Sequence, residues 1–149
     1  MMDQTDRAAE ILLVEDNPGD VLLTKTAFDQ AKIRNNINVA EDGETALDYL
    51  YKRNGFENVA TPDLILLDLN VPKLDGREVL ARIKQDDDLK VIPVVILTSS
   101  NAEKDVVKTY GLHANSYILK PIDITKFADI VKAVESFWFS IVVLPPKEN

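Results

Sequence analysis

The stretch Leu64-Ile65-Leu66-Leu67-Asp68 decides the fold, because four aliphatic residues run directly into one carboxylate. A continuous apolar run this short, with a proline shortly before and after it, is typical of a fully buried strand in a parallel sheet. Parallel sheets bind their ligands just beyond the carboxyl ends of their strands. Asp68 is therefore a candidate functional residue, although a single Asp in such a position more often only begins a turn.

Four further segments carry strand signals, and helix-start signals separate them. The predicted strands cover residues 11–14, 36–40, 94–97 and 116–119. The predicted helix N-caps, whose side chains can accept a backbone N–H, are Asn17, Asp42, Asp75, Ser100 and Asp123. Five strands that alternate with five helices indicate an α/β fold, a flavodoxin-like doubly wound five-stranded parallel sheet of order 2-1-3-4-5 with helices on both faces.

The first predicted helix begins after Asn17 with Pro18 at its first position, where the missing N–H costs no hydrogen bond. It is expected to end near Lys32. Its predicted inward-facing residues are Val21, Leu22, Ala27 and Phe28. At the start of the third helix, Asp75 and Glu78 have the spacing of a capping box.

Composition and charge exclude several classes of protein. The chain has 149 residues, enough for one domain with a full core, and its net charge of −8 argues against a broad nucleic-acid surface. The lack of cysteine excludes disulfides and thiol chemistry. The polar start has no signal-peptide core, and no apolar run has the length of a membrane span. We therefore expect a cytoplasmic protein without a membrane or nucleic-acid partner.

Charged and polar side chains end four of the five predicted strands. Glu15 and Asp16 follow the first strand, Asp68 ends the third, Thr98 follows the fourth and Lys120 follows the fifth. In the order 2-1-3-4-5 the first and third strands are neighbours, so three carboxylates border one crevice. At about 4–5 Å, each like-charge pair costs roughly 3–4 kcal/mol near a protein surface. Lys120, or a hard divalent cation such as Mg²⁺, must offset that cost.

Each of these residues also has an ordinary structural interpretation. Glu15 and Asp16 could be acids favoured by a helix dipole. Thr98 could bond to the loop backbone, Lys120 could lie on the surface, and Tyr117 could be a core aromatic residue. Chance rarely places complementary chemistry at four strand ends, so the set favours a site in which an Asp carboxylate accepts a phosphoryl group.

Seven residues together resemble the receiver domain of two-component response regulators. They are Glu15, Asp16, Asp68, Thr98, Tyr117, Lys120 and Pro121. Residues 68–72, followed by Asp75-Gly76, are similar to the family's phosphorylation-site loop. The spacing also matches, with thirty residues from Asp68 to Thr98, nineteen more to Tyr117 and three more to Lys120. The resemblance covers residues 10–135.

The resemblance implies a phosphoryl acceptor and a metal site. Asp68 would be the residue that is phosphorylated. Mg²⁺, or Mn²⁺ in its place, would be held by Glu15 or Asp16, by Asp68 and by the backbone carbonyl of Asn70.

The resemblance also implies how the site would respond to phosphorylation. Lys120 would contact the phosphoryl group, and Thr98 would bond to it after transfer. Tyr117 would then change its rotamer, so Thr98 and Tyr117 together would form the switch. A cis peptide bond before Pro121 is implied as well.

A narrower resemblance concerns the partner. Residues 68–80, the long connection before Pro62 and residues 135–138 resemble small single-domain regulators that partner phytochrome histidine kinases, notably in cyanobacteria. This implies a bacterial regulator whose partner is a histidine kinase, here a phytochrome. Because the receiver would occupy the chain up to residue 135, the expected output is conformational change or onward phosphotransfer. No enzyme activity is implied beyond self-catalysed phosphotransfer and autodephosphorylation.

Three alternatives share this type of fold or site. A phosphatase of the haloacid-dehalogenase class resembles Asp-x-Asp at its site, but the second position here is Asn70, which cannot act as the general acid. A flavin-binding module needs a phosphate-cradling loop after the first strand, and residues 16–20 are acidic there. A pseudo-receiver would bind a partner without phosphorylation, which a complete set of site residues argues against.

An apolar stripe extends towards the end of the chain. Its members, at steps of three and four, are Ile124, Phe127, Val131, Val134, Trp138 and Ile141. Phe137, Trp138, Ile141 and Leu144 lie beyond the length that the sheet can cover, so we expect them to form a homodimer contact. The predicted organisation is a polar tail at 1–9, the receiver domain at 10–138 and a C-terminal extension at 139–149.

Overall fold

The structure is a computed structural model that describes residues 8–99, 116–130 and 132–133. The strands are β1 (Ala9–Val14), β2 (Asn35–Ala40), β3 (Leu64–Asp68), β4 (Val94–Thr98) and β5 (Ser116–Leu119). The helices are α1 (Pro18–Gln30), α2 (Gly43–Leu50) and α3 (Gly76–Gln85), and residues 124–130 are also helical.

The five strands form one parallel sheet in the order β2-β1-β3-β4-β5. This is the predicted order. Val14 pairs with Leu67, and Asp68 pairs with Leu97, so the carboxyl ends of β1, β3 and β4 lie side by side. The residues that follow these strands therefore share one edge of the sheet.

Successive residues of each strand face opposite sides of the sheet, so their side chains belong to two separate cores. Ile65 and Leu67 belong to the core that α2 and α3 cover, whereas Leu64 and Leu66 belong to the other. Phe28 of α1 and Phe127 pack edge to face in that second core, with ring centroids 6.4 Å apart. Helices thus cover both faces, as predicted.

Helix α1 begins as predicted, but one residue that was predicted to face the core is exposed. The Asn17 side chain accepts a hydrogen bond from the backbone N–H of Asp20, and Pro18 opens the helix. Leu22 was predicted to face inward, and this is wrong, since it is 65% exposed. It lies about 200° around the helix from buried Thr24.

The other described caps follow the prediction, except that the capping box does not form. Asp42 accepts from the N–H of Thr45, and Asp123 accepts from the N–H of Lys126. Asp75 accepts from the N–H of Arg77 instead of that of Glu78. The Glu78 carboxylate pairs with Arg82, one turn further along the helix.

Several predictions fall outside the described residues. They are most of the polar tail at 1–9, the fourth helix, predicted to begin after Ser100, the predicted dimer contact at residues 137–144 and the C-terminal extension at 139–149. Among the helices that the structure describes, none combines the length and apolar character needed for a membrane span.

Candidate functional site

Three carboxylates meet where β1 and β3 end. Glu15 and Asp16 directly follow β1, and Asp68 is the last residue of β3. One oxygen from each of the three lies within 4.8 Å of the others. Glu15 and Asp68 are buried, whereas Asp16 is exposed. The crevice predicted from the strand order is therefore present.

Lys120 brings a positive charge into the same place. It follows β5, where its backbone N–H donates to the carbonyl oxygen of Thr98 at 2.8 Å. Its Nζ lies 2.8 Å from Glu15 Oε1, 2.8 Å from Asp20 Oδ2 and 2.9 Å from Asp68 Oδ2. One ammonium group thus joins three carboxylates.

Asp20 is the member of this cluster that the sequence analysis did not identify. It lies in the first turn of α1, where an acid is also favoured by the helix dipole. The only available signal was its position one turn after Asp16, on the helix that starts from the same loop. That spacing does not predict that Lys120 reaches Asp20.

Burial disfavours ionisation of the Glu15 carboxyl group. Loss of water, the largest cause, and the neighbouring Asp68 raise the pKa of Glu15, whereas Lys120 and the backbone N–H of Asn17 lower it, and the net result is a pKa of about 7. Glu15 Oε2 accepts from the backbone N–H of Asn17 at 3.1 Å. Oε1 faces Lys120 at 2.8 Å, yet it has no hydrogen bond of good geometry among the described residues.

The pKa of Lys120 moves upward for the complementary reason. Burial alone would lower the pKa of this lysine, but its bonds to Asp20, Glu15 and Asp68 outweigh burial and raise it. Lys120 is therefore cationic at every physiological pH and offsets part of the carboxylate repulsion.

The loop after Asp68 is held close to the carboxylate. The backbone N–H of Asn70 donates to Asp68 Oδ1 at 2.9 Å, which leaves Oδ2 facing Lys120. Gly76, the first residue of α3, lies close to the backbone of Asp68, and its N–H donates to the carbonyl oxygen of Leu69. A Cβ on Gly76 would lie 2.5 Å from the Asp68 carbonyl oxygen, so only glycine allows this approach.

The start of α2 supports the far side of this loop. The N–H of Gly43 donates to the carbonyl oxygen of Pro72 at 3.2 Å, and a Cβ on Gly43 would lie 2.0 Å from the Leu74 carbonyl oxygen. Lys73 adopts a left-handed backbone with φ of 68° and pairs with Asp42 at 3.8 Å. Two helix starts therefore fix the loop that follows the candidate acceptor.

The remaining predicted site residues lie on β4 and β5. Thr98 is fully buried at the end of β4, the neighbour of β3. Tyr117 is partly buried against the core that α2 and α3 cover, and burial raises its pKa. The peptide bond between Lys120 and Pro121 is cis, as the family resemblance implies.

The chemistry of the donor set fits a hard divalent cation. All three candidate ligands, Glu15, Asp16 and Asp68, offer carboxylate oxygens, which suit Mg²⁺ and Mn²⁺. Glu15 Oε1 is also a buried acceptor that lacks a hydrogen bond within the described part of the chain. A cation would satisfy that oxygen and relieve the repulsion that Lys120 only partly offsets.

The profile of the response regulator receiver domain family matches residues 11–132. The chain belongs to this family. Response regulator Rcp1 from Synechocystis sp. is 44% identical over 145 residues, which span 97% of this receiver chain and 99% of Rcp1.

Two solved structures extend the similarity of the receiver to its fold. The structure of the phosphorylated cyanobacterial phytochrome response regulator RcpA matches with a TM-score of 0.77 and 44% identity, over 91% of this chain and 96% of RcpA. The Mn²⁺-bound form of Rcp1 matches with a TM-score of 0.74 and 45% identity, over 87% of this chain and 94% of that structure.

These similarities confirm the predicted family and fold, and they show that the receiver is homologous to phytochrome response regulators. Members of the family are signalling proteins and not classical enzymes. Nothing in the similarities favours the phosphatase-like, flavin-binding or pseudo-receiver alternatives.

Proposed function

We propose that Asp68 accepts a phosphoryl group from a histidine kinase while Mg²⁺ or Mn²⁺ is held beside it. The observation that carries this proposal is the surroundings of Asp68. Its carboxylate ends the central strand, lies among candidate metal ligands and pairs with Lys120 at 2.9 Å. This places a nucleophilic oxygen, a cation and a metal-binding group within a few ångströms.

In the proposed transfer, an Asp68 oxygen attacks the phosphorus atom of a phosphohistidine. The P–N bond breaks, its electron pair returns to the imidazole, and an aspartyl phosphate forms. Glu15 or Asp16, Asp68 and the Asn70 carbonyl would hold the metal, which supplies positive charge against the phosphoryl oxygens. Lys120 adds a second positive charge, and the same site would later hydrolyse its own acyl phosphate.

The proposed output is a switch through Thr98 and Tyr117. The Thr98 hydroxyl would be drawn to the new phosphoryl oxygens, which vacates space for the Tyr117 ring. Thr98 ends the strand next to Asp68, and Tyr117 lies on the following strand. The two residues therefore connect the phosphorylated edge to the β5 side of the sheet.

We also propose that the kinase is a phytochrome and that the protein acts in the cytoplasm. The homology to Rcp1 and RcpA supports the kinase assignment. The net charge of −8 supports signalling through proteins instead of nucleic acid. Transfer rates from a panel of phosphorylated histidine kinases would test the assignment, and a phytochrome kinase should be the fastest donor.

The phosphorylation experiment compares two Asp→Asn variants. Wild-type protein should take up one phosphoryl group from acetyl phosphate when Mg²⁺ is present and none in excess EDTA. Asp68→Asn should take up none, whereas Asp87→Asn, which changes an exposed acid, should match the wild type. Uptake by Asp68→Asn equal to that of Asp87→Asn would refute the acceptor assignment.

The proposed homodimer rests on the apolar spacing of residues 124–144 and is tested by sedimentation. Wild-type protein at tens of micromolar should sediment as a dimer, and the double variant Phe137→Ala, Trp138→Ala as a monomer, because large aromatic side chains anchor most interfaces. An exposed-residue variant such as Tyr51→Ala should remain dimeric. A monomeric wild type would leave the segment as a surface for the kinase or a target.

A further inference from the structure

Lys120 has three carboxylate partners, and they differ in what else they must do. Glu15 and Asp68 belong to the group of candidate metal ligands, whereas Asp20 does not. Asp20 Oδ2 is nevertheless as close to Lys120 Nζ as Glu15 is, at 2.8 Å. Among the described residues, Asp20 is thus the one partner of Lys120 that is not also a candidate ligand of a metal ion.

The reaction cycle would remove the other two partners in turn. A divalent cation held by Asp68, and by Glu15 if that residue is the second ligand, would compete with Lys120 for their oxygens. Phosphorylation then converts the Asp68 carboxylate into an acyl phosphate, whose negative charge lies on the phosphoryl oxygens. Of the three carboxylates, Asp20 alone is neither a candidate metal ligand nor the phosphoryl acceptor, so it stays available to Lys120 in every state.

The backbone of Asp20 is fixed, so its carboxylate has a defined direction. Its N–H donates to Asn17 Oδ1 at 3.0 Å, and its carbonyl oxygen accepts from Thr24 Oγ1 at 2.8 Å. The side chains of Asp20 and Lys120 are only 17% and 19% exposed. Water therefore screens this ion pair less than it screens a pair on the open surface.

We propose that Asp20 is a positioning residue for phosphoryl transfer, which holds the Lys120 ammonium at the acceptor while the metal and the phosphoryl group occupy Glu15 and Asp68. An ammonium group has three N–H donors. With one donor kept by Asp20, the other two stay directed towards the site. This inference rests on the proposed phosphorylation of Asp68, and its test separates the two.

The first measurement follows the Lys120 ammonium itself in the Mg²⁺-bound protein. A ¹H–¹⁵N spectrum of lysine ammonium groups should contain a protected Lys120 signal, assigned by its loss in Lys120→Met. Asp20→Asn should broaden or remove that signal. Asp29→Asn makes the same charge change on α1 about 13 Å further along the helix, and it should preserve the signal.

The second measurement is the maximal rate of phosphorylation by acetyl phosphate at saturating Mg²⁺. Asp20→Asn should lower it about tenfold, the size expected for losing one charge-assisted hydrogen bond. Asp20→Glu should restore most of the rate because it returns the carboxylate, and Asp29→Asn should leave the rate unchanged. A purely structural role for Asp20 would not give recovery together with return of the Lys120 signal.

The outcomes distinguish this inference from the proposed function. An unchanged Lys120 signal in Asp20→Asn, or a wild-type Lys120 signal no more protected than those of surface lysines, would overturn the role of Asp20. A full phosphorylation rate in Asp20→Asn would overturn it as well. Failure of the wild type to accept a phosphoryl group, with the predicted changes in the Lys120 signal, would instead contradict the proposed function alone.

Discussion

Strand β3 has a buried carboxylate at each end, and the two are used differently. Asp63 precedes the strand and is 3% exposed, while Asp68 ends it and is 4% exposed. Asp63 forms two hydrogen bonds with Glu10. Its Oδ2 accepts from the N–H of Glu10 at 2.9 Å, and its own N–H donates to the Glu10 carbonyl oxygen at 2.7 Å. Asp68 instead faces other carboxylates and a lysine.

The comparison shows that burial of an acid does not by itself indicate a functional site. Asp63 connects the amino end of β3 to β1 and satisfies a backbone donor, which is a structural role. Asp68 adds like charge to an edge where Glu15 and Asp16 already converge. A group of acids that repel one another makes sense only with a cation, so the convergence indicates function.

The largest expected effect is on phosphorylation, and it separates the two ends of the strand. Asp68→Asn should abolish phosphoryl uptake, whereas Asp63→Asn should keep it. Asp63→Asn should instead lower the free energy of unfolding by about 1–3 kcal/mol, because the partly buried N–H of Glu10 loses a charged acceptor. Phosphorylation assays and urea denaturation of both variants would test this, and loss of phosphorylation in Asp63→Asn would abolish the distinction.

The next effect concerns pH. The pKa of Glu15 is raised from an ordinary 4.5 to about 7, so between these values the folded protein binds a proton more tightly than the unfolded chain. Without metal, the free energy of unfolding should therefore fall as pH rises from about 4.5 to about 7, by at most about 3 kcal/mol. Glu15→Gln should remove this contribution, and Mg²⁺ should restore stability at neutral pH.

Urea denaturation in EDTA at about pH 5 and about pH 7.5 measures this contribution directly. Glu41→Gln, which alters an exposed acid, is the control and should keep the wild-type pH dependence. If Glu15→Gln kept the same dependence, another group would be responsible for it.

The smallest expected effect is on the switch. Thr98→Ala should leave phosphorylation largely intact but should abolish the change in the Tyr117 ring signal that phosphorylation produces in the wild type. Its cost in stability should be about 1 kcal/mol, typical of a lost buried hydroxyl. Thr24→Ala, another buried threonine, should keep the Tyr117 response. A normal response in Thr98→Ala would mean that the coupling follows another route.

The sheet was predictable because each strand has a local signal in the sequence. Short apolar runs define buried strands, and strand order then determines which ends are neighbours. The edge formed by Glu15, Asp16 and Asp68 follows from that order alone. Leu22 was misassigned because three consecutive apolar residues, Val21, Leu22 and Leu23, point to different sides of the helix, and apolar character alone does not reveal which side meets the sheet.

The position of Asp20 beside Lys120 was not predictable in the same way. The two residues are one hundred positions apart, and their contact depends on how far a long side chain reaches across the ends of β4 and β3. A first-turn acid on a helix also has a sufficient local explanation in the helix dipole. Only the folded arrangement distinguishes the two roles.

The most direct test of the central claim is to locate the modified residue chemically. After treatment with acetyl phosphate and Mg²⁺, borohydride reduces an aspartyl phosphate to homoserine, which peptide mass spectrometry can place in the sequence. The account predicts homoserine at position 68 and at no other aspartate, and none when EDTA replaces Mg²⁺. Homoserine at another position, or at position 68 with EDTA present, would contradict it.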